Sequence, residues 1–388
     1  MAKVTTALFG DLAFLPFPAQ APMTEVLEWK TDLMTSFNGT ENRIQLRNHP
    51  RQTLTYEIAE RQVGKLRAYL AYYDAMRLKW AVPLWAEVQF LGTVVMNTQI
   101  ISCNTTNYDF RAGSLALLYQ NNDVWQVVSI AEVGADSITI EGYTDGFQSA
   151  YLMPVRLGYI RDNVERSSNG YEGDTKVKFE IEDILALPES VPGQFLGSDL
   201  YLEPGLFADG RQAQTLTTRT DRVDYELGLV DLRRPWKYNR DIRVKHVICD
   251  GAAEVRAWRR WLMRRAGRLR AYWEPTFEND LRHASTGTVT DKLRINHADG
   301  FNQWGNGRTH IAIRTFAGVW YCRTVTGIAT PAPAVVELSL DTALNIPAAS
   351  IQRVSFIGLR RLDTDRVELN WLGNSVVRAS VNTVEIQP

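Results

Sequence analysis

"RLRAYWEPTF" (268–277) and "RLKWAVPLW" (77–85) are the two stretches whose comparison decides how this chain is read. Each opens Arg-Leu and runs into apolar and aromatic residues interrupted by one proline. Leu78 falls on Leu269, Pro83 on Pro275 and Trp85 on Phe277. Each follows a segment with helical periodicity. In the first segment, from after Ile58 to about Arg77, Val63, Leu66, Leu70 and Tyr73 form one stripe; in the second, from about Gly251 to Ala266, the stripe is Val255, Trp258, Trp261 and Leu262. Asp250 is the expected N-cap of the second helix and Gly267 its stop. The shared string Leu-Arg-Ala-Tyr at 66–69 and 269–272 is a coincidence, because one copy is mid-helix and the other starts a strand.

Further matches keep this order. "LTYEI" (54–58) faces "VKHVI" (244–248) at offset 190, and "VWQVVSI" (124–130) faces "VWYCRTV" (319–325) at 195. "VRLGYIR" (155–161) faces "VSFIGLR" (354–360), and "FEI" (179–181) faces "VEI" (384–386) at 205. The offset only climbs, as small loop insertions in a second copy would make it. Short β-branched runs such as 137–142, 176–182 and 334–340 read as strands between Gly, Pro, Asn and Asp turns. The expected fold is mainly β with two helices: two tandem β-sandwich or barrel-like domains, each with one helix packed on its sheet. The expected division is an extended arm at 1–26, a first β domain at 27–182, a Pro/Gly-rich linker at 183–220 and a duplicated domain at 221–388.

Composition limits the function. The 388 residues carry 43 basic and 44 acidic side chains, so no global field draws the chain to nucleic acid or a membrane surface. Cys103, Cys249 and Cys322 are odd in number and far apart, which fits small core residues and a reducing compartment. Asp11 and the prolines interrupt the apolar N-terminus, so no export signal is expected, and no apolar run is long enough for a transmembrane helix. The histidines show no metal-ligand spacing, and 297–307, with Asp299, reads as a Gly/Asn-rich turn rather than a calcium loop. Glu274 and Glu278 are the one carboxylate pair to weigh for glycan cleavage; surface positions at a strand end are the plainer reading. No catalytic, cofactor or metal residue is expected.

Seven arginines in 15 residues crowd 256–270. Nucleic-acid recognition is one reading; a solvated helix face or ion pairs to a neighbouring subunit is the other, and the neutral chain favours it. Arg256, Arg259, Arg260 and Arg264 are accordingly the expected intersubunit contacts. Eleven tryptophans, among them Trp29, Trp85, Trp125, Trp236, Trp304, Trp320 and Trp371, are mostly core, or else stack on sugars in a carbohydrate- or receptor-binding protein.

"LEWKTDLMTSFNGTENRIQLRNHPRQTLTYEI" (27–58) passes from an extended segment through a Gly-Thr-Glu turn to a Pro-Arg strand. "VRAWRRWLMRRAGRLRAYWEPTF" (255–277) passes from a helix through an arginine-flanked glycine to an aromatic strand. Together they resemble the distal tail proteins and related minor tail proteins of long-tailed bacteriophages. The resemblance implies a structural protein of the tail tip or baseplate, made in the host cytoplasm and carried on the virion. Its partners would be copies of itself in a ring of three or six, the tail tube, the baseplate hub and fibre proteins. The family pattern usually occurs once per chain, and here its front is clearest in the first half and its back in the second.

Overall fold

The computed structural model describes residues 3–6, 9–60, 66, 70, 78–169, 172–185, 187–204, 213–236, 239–296 and 308–386. The molecule is mainly β, with one α-helix, Ala252–Arg265, among the described residues. The first strands are β1 (Lys3–Thr6), β2 (Gly10–Phe14), β3 (Gln20–Glu28), β4 (Thr31–Thr35), β5 (Glu41–Gln45) and β6 (Arg51–Glu60). After them come β7 (Trp80–Pro83), β8 (Gln89–Val94), β9 (Ile100–Ser102), β10 (Leu115–Asn121), β11 (Val124–Val133) and β12 (Ser137–Glu141). β13 (Phe147–Ile160), β14 (Glu165–Ser168) and β15 (Gly173–Ile181) follow.

A second run begins with β16 (Gln194–Phe195), β17 (Ser198–Leu200), β18 (Gln214–Thr217), β19 (Asp221–Val223) and β20 (Asp231–Arg233). β21 (Arg240–Asp250) leads into the helix and β22 (Tyr272–Pro275) out of it. The rest are β23 (Thr288–Val289), β24 (Lys292–Asn296), β25 (His310–Thr315), β26 (Trp320–Ala332), β27 (Val335–Leu340), β28 (Ile346–Pro347), β29 (Ile351–Leu362), β30 (Arg366–Gly373) and β31 (Val376–Glu385).

The same ladder order occurs in both runs. β6 pairs β15, β15 pairs β13, and β13 pairs β7 and β10; β21 pairs β31, β31 pairs β29, and β29 pairs β22 and β25. β10–β11–β12–β9 is matched by β25–β26–β27–β24. The parallel pair β2·β7 is matched by the parallel pair β17·β22. Registers also correspond. Leu27 opposite Gln52 becomes Leu216 opposite Asp241, and Asp32 opposite Ile44 becomes Asp221 opposite Arg233. Tyr56–Val177 becomes Lys245–Val381, Val155–Pro83 becomes Ile357–Pro275, and Tyr119–Trp125 becomes Arg314–Trp320.

This register keeps the expected matches of Pro83 with Pro275 and Trp125 with Trp320 but shifts three others. Leu54 falls on Arg243, not Val244; Val155 on Ile357, not Val354; Phe179 on Thr383, not Val384. The first shift has a clear cause. The inward face of β6 carries Leu54, Tyr56 and Ile58, whereas that of β21 carries buried Asp241, Arg243 and Lys245. Matching apolar to apolar moved the pairing by one residue, and a one-residue slip exchanges the faces of a strand.

The largest core does not follow the two runs, whereas the smaller ones lie within one run each. One large hydrophobic cluster takes Leu12, Phe14 and Trp80 from the first run and Trp258, Leu262 and Val381 from the second. Smaller clusters lie around Leu118 and Ile130, and around Ile313 and Leu338. The expected arm at 1–26 is extended, but as β1, β2 and β3, with Leu12, Phe14 and Phe17 buried. The expected linker at 183–220 contains β16, β17 and β18, and Leu185 and Leu187 are core residues. Of the first expected helix, Leu66 is buried in the large core and Leu70 packs against it; Val63 and Tyr73 lie outside the described residues. The second helix starts at Gly251 without a side-chain cap, so Asp250 is not its N-cap; instead the Asp250 N–H donates to Glu254, 3.0 Å away. It ends through left-handed Ala266 and Gly267, as expected of a glycine stop.

Candidate functional site at the sheet junction

β3 lies between β6 of its own run and β30 of the other, with Met23 opposite Trp371 and Leu27 opposite Val367. Leu27 and Val367 are both buried. Beyond the ladder the Trp29 N–H donates to the Asp365 carbonyl at 2.8 Å, and the Thr31 N–H to the Asp365 carboxylate at 2.8 Å. The same carboxylate accepts the Arg268 N–H at 2.8 Å. Burial would raise the Asp365 carboxyl; the Arg268 and Thr31 donors outweigh it and hold the group below its usual range. Gly267, at φ 66°, makes room for this contact: a Cβ there would lie 2.3 Å from Asp365 Oδ1.

The β4·β5 hairpin extends the junction. Glu41 receives Arg361 at 2.8 and 3.0 Å and Arg240 at 2.7 Å, and Arg240 also donates to the Gly39 carbonyl at 2.7 Å. Burial opposes ionisation of Glu41, but the Arg361 guanidinium lowers its pKa overall. The matching β19·β20 hairpin carries Leu227 and Leu229, which are 93% and 102% exposed.

The helix arginines turn inward more than their sequence suggests. Arg259 is buried between Glu25 and Glu87, at 2.9 and 2.6 Å. Glu25 also accepts Gln52 at 2.8 Å and the Trp371 indole at 3.1 Å, so one carboxylate ties β3, β6, β30 and the helix. Glu87 receives the Asp109 N–H at 2.6 Å. Burial raises the Glu87 carboxyl. It would raise Asp109 too, but Arg156 and Arg111 hold that carboxyl far below the carboxylate range. Arg264 and buried Arg265 both pair with Asp199 on β17, and Arg260 donates to the Pro188 carbonyl at 3.2 Å. Arg256 is half-buried beside this network. Of the four arginines expected at a subunit boundary, Arg259 is thus enclosed by its own chain. Arg256, Arg260 and Arg264 stay partly exposed.

Other sequence candidates have structural occupations. Glu274 is buried, in contact with Lys245 and 3.4 Å from Arg360, while Glu278 is exposed. Burial pushes the thiols of Cys103, Cys249 and Cys322 up to about 11, far from a reactive thiolate at neutral pH. No cluster of three or more His, Cys, Asp and Glu suited to a metal occurs among the described residues; His297 and Asp299 lie outside them. Trp29, Trp85 and Trp371 are buried, Trp125, Trp236 and Trp320 are half-buried, and Trp304 lies outside the described residues. No described helix is long and apolar enough to cross a membrane.

The junction left a sequence signal that apolar matching passed over. Lys30-Thr31-Asp32 recurs as Arg219-Thr220-Asp221, and Asp162-Asn163-Val164-Glu165 recurs as Asp365-Arg366-Val367-Glu368. Both motifs are mostly polar; the second has one valine in each copy, Val164 and Val367, on the large core. Compared with known proteins, the chain matches no family model and no curated protein.

Proposed function

We propose that this chain is a structural subunit of the tail tip or baseplate of a long-tailed bacteriophage. It would form a ring that joins the tail tube to the hub or fibres, and would consist of two fused copies of one β unit, each with a helix. The observation that carries this reading is the recurrence of one ladder order, register by register, joined through β3·β30. Such a junction presents different strands on its two sides and therefore propagates head to tail, the kind of contact that generates rings. Three chains would set six units around an axis. The buried pairs around Arg259 and Asp199 suit a scaffold, since they fix relative positions at a desolvation cost.

A carbohydrate-binding reading needs a row of open aromatic side chains, and most of the described tryptophans are buried. Electron micrographs of virions stained with an antibody to this chain test the proposal. Label at one end of the tail is expected; label on the capsid, or on no particle, would contradict it. A purified chain that stays monomeric and binds oligosaccharide would favour the alternative.

A further inference from the structure

We infer that β18 of one chain pairs with β14 of the next copy, repeating between chains the junction that β3 and β30 make within one. This rests on the ring reading and specifies its contact. Under the register given above, β3 corresponds to β18 and β30 to β14. β3 and β30 are paired with each other as well as with β6 and β31. Among the described residues β18 has a ladder only to β21 and β14 only to β15. A two-fold relation between the units would have paired β18 with β14 inside the chain. Among the described residues, Glu165–Ser167 of β14 and Gln214–Thr217 of β18 instead each have one edge outside any ladder, the template on which another strand is added.

The side chains fit the same transfer. Leu27 is 0% exposed inside the junction, whereas its counterpart Leu216 is 60% exposed, as expected of a position whose opposite strand is on another molecule. Val367, opposite Leu27, corresponds to Val164. Asp365 corresponds to Asp162, an exposed residue paired with Lys178 in its own chain. Thr31 corresponds to Thr220, so the Thr220 N–H is assigned to the Asp162 carboxylate of the next copy. The motifs Arg219-Thr220-Asp221 and Asp162-x-Val164-Glu165 are then the two halves of one contact. Leu227 and Leu229, on the hairpin that follows β18, would cover the next copy as the β4·β5 hairpin covers Arg361.

The register Val26–Glu368 places Thr215 opposite Glu165 of the neighbour, and Leu27–Val367 places Leu216 opposite Val164. Directly opposed residues on antiparallel strands come within disulfide reach. The full-length double variants Thr215→Cys/Glu165→Cys and Leu216→Cys/Val164→Cys are to be oxidised and run without reductant. At least one should give a ladder of linked chains ending at the ring's chain number, with no ladder from the single variants. Rings in particle images without a ladder from either pair would overturn the β18·β14 contact and leave the ring reading standing. A ladder from open filaments would uphold the contact and overturn the ring. A monomer without a ladder overturns both. Asp162→Lys should abolish the assembled species while the far-ultraviolet circular dichroism and melting of the chain stay those of the parent. Full assembly of this variant would also count against the contact.

Discussion

Arg259 donates to Glu25 at 2.9 Å across a separation of 234 residues, linking the helix to a strand near the start of the chain. Glu87 shares the guanidinium at 2.6 Å. Removing Arg259 leaves two buried carboxylates facing each other without a cation. Arg259→Ala should therefore lower unfolding stability by about 3–5 kcal/mol, the usual cost of stranding a buried charge. Denaturant titration reads this as an earlier midpoint. A loss below about 1 kcal/mol would mean that the pair is not buried as described.

Asp109 gives a pH dependence with a definite sign. Its carboxyl is held below its ordinary value, so its ionised form stabilises the fold above the unfolded pKa of about 3.9. That contribution fades as the pH falls through and below this value. Asp109→Asn should reduce stability at neutral pH and flatten the acid limb of the stability curve. Melting temperatures between neutral pH and about pH 3 check it; parallel curves for parent and variant would contradict it.

Gly267 tests the close approach to Asp365. A side chain at φ 66° costs about 1–2 kcal/mol in backbone strain alone. The added Cβ also meets Asp365 Oδ1 and, at 3.1 Å, Trp29. Gly267→Ala should destabilise by more than the strain alone and increase protease cleavage around 29–31. A neutral substitution would show that the carboxylate has another place to go.

Glu274 and Glu278 should separate cleanly. Glu274→Gln removes the counter-charge of buried Lys245 and Arg360 and should lower the melting temperature by several degrees, whereas exposed Glu278→Gln should stay within about 0.5 kcal/mol of the parent. Equal effects would mean that Glu274 is not committed to the core.

Much of the fold is legible in the sequence where apolar residues mark it. The strands at 124–130 and 334–340, the helix around Trp258 and Trp261, and the match of Pro83 with Pro275 all follow from periodicity and turn residues. β21 is misaligned because its inward face breaks that rule. β21 buries Asp241, Arg243 and Lys245; Asp241 pairs with Arg243 on the same strand and with Arg360, and Lys245 pairs with Glu274, so two of the three counter-charges come from far along the chain. The prolines and glycines of 183–220 suggested a linker, yet Asp199 there anchors Arg264 and Arg265. The arginines of 256–270 read as a surface for a partner because the carboxylates they meet come from 25, 87, 189, 199 and 365, positions no local pattern connects.

The most direct test of the account is the mass and symmetry of the purified full-length chain, from native mass spectrometry and particle images of the same sample. The account predicts a closed ring with twice as many similar lobes as chains, so that three chains would show six. A monomer at every concentration, or a closed two-fold dimer, would contradict it.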